Sequence, residues 1–210
     1  MAARFPVHRI YCVGRNYGDH VREMGNDPKK PPIFFSKPAD AIVASGASIP
    51  YPPATTDFHH ELELVVAICE GGANISADSA LGHVYGYAIG VDLTRRDLQA
   101  AAKSAGAPWD TAKGFDHSAP CGAITQITDA GHSREADIWL QVNGEPRQKT
   151  STSQMIYGVA ETIAELSKLY TLVPGDLIFT GTPAGVGPLV PGDRVACGGD
   201  GLEPLEFSIV

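Results

Sequence analysis

Prolines constrain the first quarter of the chain more than any other feature. Seven of the sixteen prolines fall within residues 28–53, in the segments DPKKPP, KP and IPYPP. Proline has no backbone N–H and fixes φ, so this density excludes long helices here. The apolar stretches IFF and AIVA interrupt the prolines. The segment is therefore predicted to form turns and short strands over a core, rather than a linker between domains.

Beyond the prolines, strand patterns outnumber helix patterns. Helices are predicted at 94–106, with Thr94 as N-cap and Gly106 as the stop, and at 155–170. Asn143 and Gly144 favour a two-residue hairpin turn within 136–148. Further strands are predicted at residues 60–69, 83–92, 176–181 and 193–198. The chain is expected to fold as one α+β domain over residues 1–210, with a mixed, mainly β-sheet and a few flanking helices.

The charge balance narrows the classes of partner. Sixteen Lys and Arg against twenty-four Asp and Glu give a net charge of −8, with no basic block, which argues against nucleic acid and anionic membranes as partners. No apolar run reaches the length of a signal peptide or a membrane span, and the four cysteines are widely spaced. These features indicate a soluble, cytoplasmic protein with reduced thiols.

Three carboxylates stand where apolar strands begin or end. Glu61 and Glu63 are two residues apart, so a strand would place both on one face, yet the same strand continues into the apolar VVAIC. Mg²⁺ or Mn²⁺ would resolve this conflict, because hard divalent cations take carboxylate oxygens. Asp92 follows the apolar strand YGYAIGV and would complete such a site. The alternatives are a solvated acidic strand face for the two glutamates and a helix cap for Asp92.

Histidines offer two further hypotheses. His59 would share the face of Glu61 and Glu63 if the strand begins that early, so a zinc site involving the His59-His60 pair is an alternative. His20 and Glu23 would share one face of a short helix, where the carboxylate orients the imidazole as a general base. The alternative for this second pair is a solvated helix face.

Other polar residues have weaker signals. Lys37 and Lys113 sit beside apolar residues, where a lysine either extends its amine to solvent or pairs with a substrate carboxylate. The segment GTPAGVG (181–187) has neither a P-loop nor a dinucleotide-binding spacing. It fits a turn that presents backbone amides or Thr182 to a small anion.

Six motifs in order resemble the fumarylacetoacetate hydrolase family over nearly the whole chain. The pattern is most similar to the short, single-domain acylpyruvate hydrolases of that family. The motifs are YCVGRNYGDHVREMG, IFFSKPADAIV, HHELELVVAI, YGYAIGVDLTRRDLQ, PWDTAKGFDHSAP and DLIFTGTPAGVGPL.

The resemblance implies a fold, a cofactor, an assembly and a set of site residues. It implies a β-roll-like α+β fold of the family's C-terminal-domain type, a homodimer, and one Mg²⁺ or Mn²⁺ per chain. By motif position, the metal ligands are Glu61, Glu63 and Asp92. The catalytic residues are His20 and Glu23, in a mobile lid over 18–32, together with Lys113. The substrate-binding residues are Arg15, Lys37, Gln99 and Thr182.

The expected reaction is hydrolysis of the C3–C4 bond of a 2,4-dioxo acid, with fumarylpyruvate as the favoured small-molecule substrate. In this scheme Glu23 orients His20, His20 activates water, and Lys113 neutralises developing charge. The alternatives keep the site and change the reaction to oxaloacetate decarboxylation or to isomerisation of a hydroxymuconate-type diacid. A non-catalytic binding protein would be expected to lack part of this residue set.

Overall fold

The computed structural model of the chain describes residues 5–23, 31–132 and 135–210. Of the predicted lid at 18–32, the structure describes one short helix and the last two residues; the rest, and the side chain of Glu23, lie outside the described residues. The described residues form sixteen strands. These are β1 Arg9–Gly14, β2 Ile33–Lys37, β3 Ile42–Val43, β4 Ala47–Ile49, β5 Phe58–His60, β6 Leu62–Ile68, β7 Val84–Val91, β8 Thr94–Arg95, β9 Ala119–Pro120, β10 Thr125–Gln126, β11 Asp137–Val142, β12 Glu145–Ser151, β13 Asp176–Phe179, β14 Gly187–Pro188, β15 Arg194–Gly199 and β16 Leu202–Ile209.

Helices are few and short, as the sequence predicts. They are α1 Gly18–Glu23, α2 Ala77–Ala80, α3 Arg96–Ala105, α4 Asp110–Lys113, α5 Ile127–Ala130 and α6 Val159–Ser167. Residues 31–53 of the proline-rich segment hold only short strands, turns and one 3₁₀ turn. The predicted α+β class with mixed sheets is confirmed. Over the part of the chain that the structure describes, no helix is long and apolar enough to cross a membrane.

Two large sheets form the framework. The first runs in the order β10-β7-β6-β13-β1-β2, and the second in the order β12-β11-β15-β16-β4. Each contains one parallel pair, β1 with β13 and β16 with β4, among antiparallel ones. Two smaller sheets have the orders β14-β5-β8 and β3-β9.

The six-stranded sheet is buried on both faces. One face packs with β11, β15 and β16 of the second sheet near Leu62 and with α6 near Leu64 and Val66. The opposite face carries a third buried cluster that includes Val65 and Ala67. All seven residues of β6 are therefore buried, Glu63 included. This explains the continuous apolar run after Glu63, because a strand buried on both sides has no solvent-facing positions to alternate with.

Several local predictions are confirmed and two need correction. The hairpin turn is where it was expected, with φ of 54° at Asn143 and 82° at Gly144, and Gly106 ends α3 in the left-handed conformation. The helix predicted at 155–170 is shorter, Val159–Ser167. The prediction of Thr94 as N-cap is wrong: Thr94 pairs with His59 in a strand, and α3 begins after Arg95 with no side-chain cap.

Gly90 allows β6 and β7 to pack closely beneath the carboxylates. It pairs with Glu63 in the sheet register. A Cβ added there would lie 2.5 Å from Val65 Cγ2 and 2.7 Å from Phe179 Cε1, and both of those residues are fully buried. The sheet under the site is therefore packed too closely for any side chain at this position.

We expect Gly90→Ala to destabilise the protein by about 1–3 kcal/mol through overpacking. In a chain of this length that corresponds to a fall in Tm of roughly 2–4 °C per kcal/mol. Gly82→Ala is the matched control, since nothing lies within 4 Å of its added Cβ. Thermal unfolding of the two variants tests this, and an unchanged Tm for Gly90→Ala would contradict it.

Candidate metal centre and the cavity around it

The topology brings the ends of four strands to one edge of the six-stranded sheet. The strands β1 and β13 are parallel, so their carboxyl ends meet there and lead into Arg15 and Thr182. The strand β6 is antiparallel to both β13 and β7, so its beginning and the end of β7 lie at the same edge. Glu61 and Asp92 occupy those positions, and the Asp92 N–H donates to the Glu61 carbonyl at 2.8 Å.

Three acidic side chains converge at this edge. Glu61, Glu63 and Asp92 each offer a carboxylate oxygen, and these oxygens all lie within 4.8 Å of one another. All three residues are buried, Asp92 completely. Glu63 Oε2 also accepts a 2.7 Å hydrogen bond from the Gly181 N–H. Oxygen ligands gathered this closely form a candidate centre for a divalent cation.

Three cations balance two of the carboxylates. Lys113 Nζ donates to Glu61 Oε2 at 2.8 Å, to Asp92 Oδ2 at 2.6 Å and to the Thr94 hydroxyl at 2.7 Å. Lys37 Nζ lies 2.8 Å from Asp92 Oδ1, and Arg96 donates to Glu61 Oε1. Glu63 has no cation within ion-pair distance among the described residues.

The pKa shifts follow this unequal pairing. Burial works to raise the pKa of Glu61, but Lys113 and Arg96 outweigh it and hold that pKa well below its usual range. Burial, followed by the charges of Asp92 and Glu61, raises the pKa of Glu63 well above its usual range. Burial works to lower the pKa of Lys113, but the same two neighbours raise it above its ordinary value. Glu63 is therefore the member of the triad whose charged form is least compensated.

The helix α3 contributes a polar face to the cavity. Arg96, Gln99 and Lys103 follow one another at spacings of three and four residues, which places them on one side of the helix. Gln99 is buried and accepts a 2.6 Å hydrogen bond from Arg96. This interaction and the Glu61 ion pair together fix the Arg96 guanidinium against the carboxylates.

Most of the predicted site residues line a single cavity. Its walls include the three carboxylates, Lys113 and Gln99, and also His20 from α1, Arg15 and Thr182. Lys37 lies behind Asp92, with its amine fully buried and donating to the Leu93 carbonyl at 3.0 Å; it is not among the lining residues. The Glu23 side chain lies outside the described residues. The assigned roles of all these residues remain predictions.

The adjacent histidines have partners other than the carboxylates. His59 Nε2 lies 2.7 Å from Asp57 Oδ1, and His60 Nδ1 lies 3.0 Å from Gln148 Oε1. Among the described residues, neither histidine belongs to the group that could hold a metal ion. The geometry therefore does not favour the zinc alternative.

Gln148 positions Thr182 at the cavity wall. Its amide nitrogen donates to the Thr182 hydroxyl at 2.8 Å and to the Pro183 carbonyl at 3.0 Å. Its amide oxygen accepts from the Leu62 N–H at 2.9 Å. The second sheet thereby supports the edge of the first.

Sequence reasoning missed five residues of this site. Arg96 and Lys103 were detectable from their spacing with Gln99 on the predicted helix. The two aromatic residues of the cavity wall and the glutamine that bonds to Thr182 could not be found from sequence spacing, because only the fold brings them to the cavity. These are Phe35, Trp109 and Gln148.

Comparison with known proteins gives consistent matches. The family model described as Fumarylacetoacetate (FAA) hydrolase C-terminal matches residues 9–210. The crystal structure of fumarylpyruvate hydrolase from Pseudomonas aeruginosa in complex with Mn²⁺ and pyruvate is 50% identical, with a TM-score of 0.98, covering 100% of this chain and 92% of that one. Oxaloacetate tautomerase FAHD2 from Oryza sativa subsp. japonica is 41% identical over 204 residues, which is 96% of this chain and 90% of the relative. Oxaloacetate decarboxylase from Dictyostelium discoideum is 39% identical, over 96% of this chain and 94% of the relative.

We expect Lys113→Met to destabilise the protein by about 3 kcal/mol or more, because it leaves two buried carboxylates short of a counter-charge. Urea unfolding in the presence of a chelator measures this in the metal-free protein. Lys168→Met is the matched control: Lys168 pairs with Glu165 at 2.6 Å on the exposed surface, and such pairs contribute about 0–1 kcal/mol. Equal losses in the two variants would show that the buried pairing does not stabilise the fold.

Proposed function

Because the chain belongs to the fumarylacetoacetate hydrolase family, we propose that it hydrolyses the C3–C4 bond of a 2,4-dioxo acid. The favoured substrate is fumarylpyruvate, which yields fumarate and pyruvate. The similarity to the fumarylpyruvate hydrolase from Pseudomonas aeruginosa, at 50% identity over the whole chain, supports this substrate.

One observation carries the proposal: a buried carboxylate triad and an imidazole line the same small cavity. Glu61, Glu63 and Asp92 lie at its base, and His20 lies in its wall. This combination provides a place to hold a divalent cation and a group that accepts a proton from water. Hydrolysis of a carbon–carbon bond next to a carbonyl uses the base to activate water and the cation to stabilise the enolate that leaves.

The triad fits Mg²⁺ or Mn²⁺. All of its ligand atoms are carboxylate oxygens, the class that these ions prefer. Among the described residues Glu63 has no cationic partner, and burial together with the charges of Asp92 and Glu61 raises its pKa. The Mn²⁺ in the Pseudomonas aeruginosa structure supports the same assignment. When bound, the cation supplies Lewis-acid polarisation of the substrate's oxygen atoms.

The protein's own residues then have defined tasks. His20 takes a proton from the water that attacks the C4 carbonyl, and Glu23 orients the imidazole. As the C3–C4 bond breaks, its electron pair passes to the pyruvate fragment, and a proton is delivered to C3. Lys113, between Glu61 and Asp92, compensates the charge that develops there. Arg15, Gln99 and Thr182 contact the substrate from the walls.

The remaining expectations belong to the same proposal. The chain acts as a single catalytic domain over residues 1–210, as a homodimer in the cytoplasm, and residues 18–32 act as a lid over the cavity.

A second candidate function is supported by the curated relatives. Proteins named for oxaloacetate tautomerisation and decarboxylation match 96% of this chain at 39–41% identity. Oxaloacetate carries the same 1-carboxylate and 2-oxo group as an acylpyruvate, so the same cavity base would bind it. It differs in needing no attacking water.

Glu63→Gln separates metal binding from folding. We expect the metal-free variant to be at least as stable as the wild type, because the amide keeps an acceptor for the Gly181 N–H and removes a buried charge. Mn²⁺ should raise the Tm of the wild type, with about 2.7 kcal/mol of stabilisation at a concentration of 100 Kd, and should raise that of the variant far less.

Thermal shift with and without Mn²⁺ measures both effects. Glu165→Gln, on the exposed face of α6, is the control and should keep the full metal response. If Glu63→Gln kept it too, the triad would not be the metal site.

The proposed reaction is tested by assaying fumarylpyruvate, acetylpyruvate and oxaloacetate in parallel with Mn²⁺. We expect the highest kcat/KM for fumarylpyruvate. His20→Ala should lower hydrolysis by about 10²–10⁴-fold, the usual contribution of a general base.

The His20→Ala variant must keep its Mn²⁺-dependent thermal shift, because only then can its lower activity not be explained by loss of the metal. A dominant turnover of oxaloacetate by the wild type would favour the second function. Undiminished hydrolysis by His20→Ala would remove that residue from the mechanism.

A further inference from the structure

The cations around the cavity fall into two groups. Arg96 and Lys113 are bonded to the carboxylates at its base, with Lys37 behind them. Lys103 and Arg15 also line the cavity, but among the described residues neither has a carboxylate within ion-pair distance. Two cations that lack an ion-pair partner in the described part of the chain therefore face the same space as the candidate metal centre.

Lys103 stands at the outer end of this space. Its residue is exposed, whereas Lys113 is buried. Its amine lies 5.2 Å from the centroid of the Trp109 ring, within cation–π range. A second, wider cavity begins here and shares Arg15, Phe35, Lys103, Trp109 and Lys113 with the inner one. Lys103 therefore lines both cavities, and in the inner one it shares the wall with the buried triad.

Aromatic rings line the passage between the two ends. The ring centroids of Phe35 and Trp109 are 5.8 Å apart. Lys113 Nζ lies 5.2 Å from the Phe35 ring centroid at the inner end, and Lys103 lies over Trp109 at the outer end. Such a passage suits a ligand with an apolar, flat middle and an anion at each extremity.

We propose that Lys103, with Arg15 beside it, binds a second carboxylate at the far end of the substrate and thereby selects dicarboxylic acylpyruvates over monocarboxylic ones. This inference rests on the proposed function and adds the residue that sets its substrate class. The ammonium attracts the distal carboxylate, while the aromatic walls contact the carbon chain that joins it to C4. The lysine touches no reacting atom, so it acts on binding.

The simplest competing account is that Lys103 only covers Trp109 with its aliphatic stem and keeps its amine in water. The two accounts differ in which ligands respond to the charge. If Lys103 only covers Trp109, removing its charge should change kcat/KM for all substrates alike. If it binds a carboxylate, the change should be confined to dicarboxylic substrates.

The test compares Lys103→Met with wild type on fumarylpyruvate and acetylpyruvate in the Mn²⁺-loaded protein. We expect KM for fumarylpyruvate to rise about tenfold or more, as for the loss of a hydrogen bond to a charged group, with kcat changed little. For acetylpyruvate, which has no distal carboxylate, kcat/KM should stay within about twofold. Lys103→Arg keeps the charge and should retain most of the diacid preference, and Lys168→Met is the surface control. Equal effects of Lys103→Met on both substrates would overturn the proposal.

Fumarate binding, measured by calorimetry on the Mn²⁺-loaded protein, gives a readout that does not depend on turnover. The affinity should fall about tenfold in Lys103→Met, and the wild-type affinity should weaken as salt is added. If the wild type hydrolyses neither acylpyruvate, the proposed function fails, and fumarate binding still decides the subsite. Equal fumarate affinities of variant and wild type would exclude Lys103 as a carboxylate site, whatever the enzyme's reaction.

Discussion

The compensation of three buried carboxylates is the constraint that organises this protein. Removing one ionised carboxylate from water costs several kcal/mol even after relaxation, and three together repel one another. Lys113 meets two of them at once, and Lys37 and Arg96 each meet one. The elements that carry these cations, β2, α3 and α4, must therefore all place them beside the three carboxylates.

The charge compensation leaves out Glu63, and this uncompensated carboxylate is what makes the triad a candidate metal site. Glu63 bonds only to a backbone N–H among the described residues, and burial together with its acidic neighbours raises its pKa. A divalent cation placed there would relieve the repulsion and leave the cavity with an excess of positive charge. An anionic ligand then completes the balance. The same electrostatic imbalance thus favours both a bound metal and the acidic substrate proposed above.

The sequence predicts those parts of the site that follow from local periodicity. The spacing of Glu61 and Glu63 places both carboxylates on one side of a strand, and the apolar run before Asp92 places that residue at a strand end. The role of Thr94 depended on tertiary pairing with β5, so the helix-cap pattern was misleading there. Asp92 faces the site, where Lys113 and Lys37 pair with its carboxylate. Trp109 and Gln148 reach the cavity only through packing between distant segments, which no local pattern encodes.

Differences in substrate among relatives of this fold are explained more easily by the outer end of the cavity than by its base. An acylpyruvate and oxaloacetate present the same 1-carboxylate and 2-oxo group to the triad, so the base does not distinguish them. In oxaloacetate the second carboxylate takes the position of the C4 carbonyl, and no atom extends beyond it. A cation at the exposed end, beyond the aromatic rings, contributes only to a ligand long enough to reach it. If Lys103 binds a distal carboxylate as proposed, the length of the acid and its charge decide which ligands the outer end of the cavity selects.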